Sequence, residues 1–142
     1  MPVETRLFVK ASLVWLVATF ALGAVLLILK ALGQPVHYNF SNVHAHMGFV
    51  GWLVNLVMGI ALWFLPVNRE RFPENRGRYP EGTVRAIFAM LNGGLLLRVV
   101  FEPLADRGPA AIYSTMLVLS AVLQLGAVIL FAAIAWARVR QV

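Results

Sequence analysis

Four separate runs of predominantly apolar residues dominate this sequence, at roughly 11–32, 43–65, 84–104 and 110–137. Each is long enough as a helix to cross the hydrocarbon core of a bilayer, which takes about 20 residues. The pattern predicts an all-α, integral membrane four-helix bundle that forms one domain over residues 1–142. Composition agrees, with 61% hydrophobic residues, 13% charged residues and a mean hydropathy of +0.80. A soluble domain of this size leaves roughly a third of its extended-chain area in water, which is too much for such a chain. The first run follows Arg6 and Lys10 as a secretory signal would. It exceeds the apolar core of about 7–15 residues in a signal and carries Trp15 and Phe20, so it is read as a retained span.

The connectors differ sharply in charge. Val67–Gly82 holds Arg69, Arg71, Arg76 and Arg78, with Pro73, Pro80 and Gly82 interrupting any helix. Gly33–Asn42 has no Lys or Arg, and Ala105–Pro109 has only Arg107 beside Asp106. Arg6, Lys10, Arg138 and Arg140 fall on the side of the central loop. The positive-inside bias therefore predicts cytoplasmic N- and C-termini, in a multi-pass protein of the cell's inner (plasma) membrane. The net charge of +6 reads as this topology signal and as attraction to membrane lipid. No segment pairs a basic stripe with stacking aromatics, so no nucleic-acid partner is expected. Cysteine is absent, which excludes disulfides, thiolate metal sites and cysteine nucleophiles.

The second run contains the polar residues that most need a reason: Asn42-Val-His44-Ala-His46-Met47-Gly48-Phe-Val-Gly51-Trp52. At about 100° per residue, His44 and His46 point to nearly opposite sides of a helix, so a single metal ion does not readily take both. His44, Gly48, Gly51, Asn55 and Gly59 share one narrow stripe, and His46, Val50, Leu53, Val57, Ile60 and Phe64 share the other. The small-residue stripe has two readings, close helix packing or room for a flat cofactor. The histidines also have two, contact with headgroups and water or a functional role in binding metal or heme.

The run His44-Ala-His46-Met-Gly48-Phe-Val-Gly51-Trp52, followed by Gly59-Ile-Ala-Leu-Trp63-Phe-Leu-Pro66, resembles the His-x-His helix of heme–copper oxidase catalytic subunits. The likeness is to the C-family oxidases and the related nitric oxide reductases, and it covers about 24 residues of one helix. In that family the two histidines ligate different hemes from opposite sides of the helix, near its outer end. The resemblance implies that His44 matches the high-spin and His46 the low-spin heme ligand. The chain departs from the family in having four spans against twelve or more, only three histidines and no Tyr-His pair for a copper centre. It is expected to be a minimal relative, not a complete oxidase or nitric oxide reductase by itself.

Arg98 lies at a depth similar to that of the histidines, with Glu102 four residues on. It is read both as an internal ion pair and as a binder of heme propionates. Leu91, Gly94, Arg98 and Glu102 share one face, expected to turn inward. Asn55 and Asn92 are read as interhelical hydrogen-bonding residues, and Ser120 and Gln124 as serving helix association, within the chain or across a dimer. Met47 is the one methionine near enough to the histidines to be a further ligand. The leading expectation is a b-type heme protein for electron transfer or diatomic gas binding near the outer face. Its cofactor-binding residues are His44, His46, Arg98, Gly48 and Gly51, with homodimerisation and an electron donor on the outer side. The alternatives are a copper- or zinc-binding accessory protein in which His37 joins His44 or His46, and a cofactor-free interaction subunit docking through the glycine stripe.

Overall fold

The computed structural model describes residues 1–105 and 111–139. Residues 106–109 of the third connector, Asp106 and Arg107 among them, lie outside the described residues, as do Ala110 and Arg140. Four helices are long and apolar enough to cross a membrane: α1 (Val3–Ala31), α2 (Tyr38–Phe64), α3 (Glu81–Ala105) and α4 (Ala111–Arg138). Among the described residues there is no strand. The two polar connectors and the helix order put the histidines at one end of the bundle, and the start of α1, the arginine-rich loop and the end of α4 at the other.

Two helices extend beyond their apolar runs. α1 begins at Val3 because nothing breaks it there, and Glu4 in its first turn is held by Arg85 of α3 at 3.0 Å. α2 begins at Tyr38, where hydropathy is low but the asparagines have work to do on α3. α2 is also not uniform. Residues Met47–Val54 wind as a π-helix, the wide i→i+5 form that is rare and often marks functional sites. Asn55 closes it: its side-chain amide donates to the carbonyls of Gly51 at 2.9 Å and Val50 at 3.2 Å.

α1 packs along α2, and α3 packs along α4, with α2 and α3 joining the two hairpins. The apolar core gathers Phe8, Met58, Leu62, Ile87, Leu91 and Ala127. The outer surface of the helices is largely apolar, with Val17, Phe20, Phe64, Leu125 and Trp136 all well exposed. α1 is correspondingly inverted relative to a soluble helix, since its buried stripe is Glu4, Thr5, Phe8, Ser12 and Thr19.

Polar contacts tie the helices at three depths. In the middle, Asn55 and Asn92 exchange side-chain amide bonds at 3.0 and 3.3 Å, and Trp15 Nε1 donates to Asn92 Oδ1 at 2.9 Å. Each such interhelical bond is worth about 0.6 kcal/mol in a bilayer, up to about 1.7. Ser120 Oγ donates to the Gly94 carbonyl at 2.6 Å and accepts from Gln124 at 2.9 Å, so both residues serve α3–α4 association within the chain. At the arginine-rich end, Arg138 is buried and donates to the carbonyls of Leu62 (2.9 Å), Leu65 and Pro66 (3.1 Å). The loop between α2 and α3 is closed by Gly77 at φ +81°, where a Cβ would press 2.9 Å from the Arg69 backbone nitrogen.

Candidate functional site

The glycine stripe of α2 meets α1 rung by rung. A Cβ at Gly59 would lie 2.9 Å from Phe8 Cβ, one at Gly51 2.7 Å from Trp15 Cγ, and one at Gly48 3.3 Å from Thr19 Cγ2. The ladder ends at His44, whose Cε1 stands 2.7 Å from where a Cβ of Gly23 would be. The stripe is therefore a packing surface. The room expected beside Gly48 and Gly51 for a flat cofactor is taken up by Trp15 and Thr19, and the same helix covers the face expected to dock a partner.

His44 thus lies in the α1–α2 interface, partly buried, and its Nδ1 is buried with no hydrogen-bond partner among the described residues. His46 has a different environment. Its Nδ1 lies 2.9 Å from the Asn42 carbonyl oxygen, which can only accept, so Nδ1 carries the hydrogen. In the neutral ring this leaves the lone pair on Nε2, the arrangement in which a histidine ligates a metal. The two histidines meet different surroundings, as their i, i+2 spacing predicts.

On the opposite, bulky face of α2, Leu53, Val57, Ile60 and Phe64 are exposed. Val50 departs from it and packs against the core, because the wide turns of the π-helix shift the register of a 100° pattern.

Around His46 the sequence's polar residues are drawn into one network. Asn39, Asn42 and His46 are spaced i, i+3 and i+7, which puts them on one helical face. Asn39 Nδ2 donates to the Glu102 backbone carbonyl at 3.1 Å, and Asn42 Nδ2 donates to Glu102 Oε1. Arg98 grips the same carboxylate through Nε at 2.8 Å and Nη2 at 3.2 Å. Glu102 is buried, and a carboxylate removed from water needs such partners. The internal Arg98–Glu102 ion pair is thus present, and Nη1 of the guanidinium takes no part in it. Leu91, Gly94 and Glu102 are buried on the same face, as their spacing predicts.

Other expected ligands lie apart. His37 occupies the cap position before α2, and Met47 is buried. Among the described residues there is no group of three or more His, Asp or Glu side chains that could hold a metal ion. Sequence reasoning missed Asn39, Asn42, Trp15, Gly23 and Arg138. The i, i+3, i+7 spacing of Asn39, Asn42 and His46 is a signal that could have found the first two.

No protein-family model, curated protein or solved structure matches this chain. Its class rests on its own fold: four long apolar helices make it a multi-pass membrane protein.

Proposed function

We propose that this chain is a membrane-embedded b-type heme protein that transfers electrons or binds a diatomic gas such as O2 or NO, with His46 supplying an axial nitrogen. The observation that carries the reading is the His46 Nδ1–Asn42 carbonyl bond, which fixes the ring and its tautomer and leaves Nε2 as the donor. Heme, when bound, supplies the redox and gas-binding chemistry. The protein's part is to hold the imidazole still and make it more basic through the carbonyl.

Arg98 belongs to the same network and carries positive charge beside it. With Nε and Nη2 on Glu102, its remaining donors suit a heme propionate. His44 is the second nitrogen. It lies against α1, while His46, two residues on, points to nearly the opposite side of α2, so one iron does not take both from a single chain. A two-histidine iron then calls for a second copy, which favours a homodimer. The arginine distribution supports cytoplasmic termini, an inner-membrane location and histidines near the outer face, within reach of an outer electron donor.

The test is an absorption spectrum of protein purified from heme-replete cells, oxidised and reduced, with and without carbon monoxide. A Soret band that His46→Ala abolishes or shifts is the expected result. A colourless, iron-free preparation overturns the reading, and crosslinking that finds only monomers removes the shared-ligand form of it.

A further inference from the structure

At the end of the bundle away from the histidines, Arg138 is a buried cation with no acidic partner among the described residues. Among these residues its guanidinium donates to the carbonyls of Leu62, Leu65 and Pro66 and lies 5.4 Å from the centre of the Tyr79 ring. Glu4 and Glu81 both pair with Arg85, at 3.0 and 3.7 Å. Carbonyl dipoles satisfy the donors but do not cancel the charge, and an uncompensated buried charge attracts a counter-ion. Beside it a cleft of about 470 Å³ runs between the start of α1 and the end of α2. Its lining combines Pro2, Leu62, Trp63 and Leu65 with two guanidinium groups, Arg138 and the exposed Arg78. Among the described residues Arg78 has no acidic partner.

We propose that this cleft binds an anionic phospholipid, with the headgroup phosphate at Arg78 and Arg138 and the apolar part of the lipid along Trp63 and Leu65. Two positive charges favour a headgroup with net negative charge over a zwitterionic one, whose phosphate is offset by its own ammonium. The apolar wall continues onto Trp63 and Phe64, which are 53% and 73% exposed on the membrane-facing surface of α2, and a small soluble anion has no use for it. A tryptophan at that level suits the headgroup boundary. The proposal is independent of the heme reading.

The whole chain, reconstituted in nanodiscs of mixed phosphatidylcholine and phosphatidylglycerol, tests it by counting lipids retained per chain in native mass spectrometry. The expected result is retention of phosphatidylglycerol over phosphatidylcholine, lowered about fivefold by Arg78→Gln, the factor one basic residue contributes near an anionic surface. Arg78→Lys should keep the retention. Arg71→Gln, exposed in the same loop but outside the cleft, should leave it unchanged, with helicity and thermal midpoint checking the fold of each variant. Equal loss in Arg71→Gln and Arg78→Gln overturns the proposal in favour of a diffuse charged surface. Equal retention of both lipids, or displacement by inorganic phosphate, overturns it as well.

Discussion

The imidazole of His44 lies over Gly23, with Cε1 2.7 Å from the place a Cβ at position 23 would take. Only a residue without a side chain lets α1 come this close to the histidine. Gly23→Ala should turn the ring instead of parting the helices, because the ring is the free end of its side chain. The expected loss is about 1 kcal/mol in detergent unfolding. In a His44→Ala background the same substitution should have almost no effect, and that double-mutant coupling is the measurement.

Gly51 is less forgiving. The atoms a Cβ would strike include Trp15 Cβ at 2.9 Å, which cannot move without its helix. Gly51→Ala should destabilise the protein by about 1–3 kcal/mol. Gly93 on α3 has nothing within 4 Å of its would-be Cβ, so Gly93→Ala should leave stability unchanged or raise it by about 0.5–1 kcal/mol. Thermal midpoints of the pair separate packing glycines from incidental ones.

Arg138 satisfies carbonyls that the end of α2 leaves open. The chain turns out of the helix at Leu65 (ψ 139°), so the Leu62 carbonyl meets no N–H four residues on, and Arg138 Nη1 donates to it at 2.9 Å. Arg138→Gln should weaken the fold by about 2–3 kcal/mol through unpaired buried carbonyls. Arg138→Lys should recover part of this, since one ammonium does not span three acceptors. Unfolding midpoints of the two variants and the wild type check the set.

Tyr79 sits outside the spans, and burial pushes its phenol above the ordinary value of 10.0, with the Thr5 hydroxyl partly offsetting the rise. A raised folded value means the neutral form is preferred in the fold. Its contribution to stability is complete below about pH 10 and is lost as pH rises through the shifted value. Subtracting the Tyr79→Phe titration at 295 nm from that of the wild type should give a midpoint above 10.0. Tyr79→Phe should also lose less stability between neutral and strongly alkaline pH.

The four spans, the all-helical class and the inward face of α3 can be read from residue order, because burial in lipid depends on local composition over about 20 residues and on a regular 3.6-residue turn. Asn55 and Asn92 as bridging residues are legible for the same reason, since an amide within a span has few other partners. The different surroundings of His44 and His46 also follow from spacing within one helix. What fills the space beside each residue does not. The glycine stripe favours helix packing but by itself leaves a cofactor cleft open, and α1 occupies it because Trp15, Thr19 and Gly23 happen to match its steps. The π-helix, which turns Val50 inward, depends on Asn55 reaching back to two carbonyls and on α1 pressing at Gly51. His46 and Arg98 are distant in sequence, and they join one network only because Asn42 and Glu102 meet across two helices. Periodicity records which way a side chain points, whereas its partner comes from another part of the chain and is set when the helices pack.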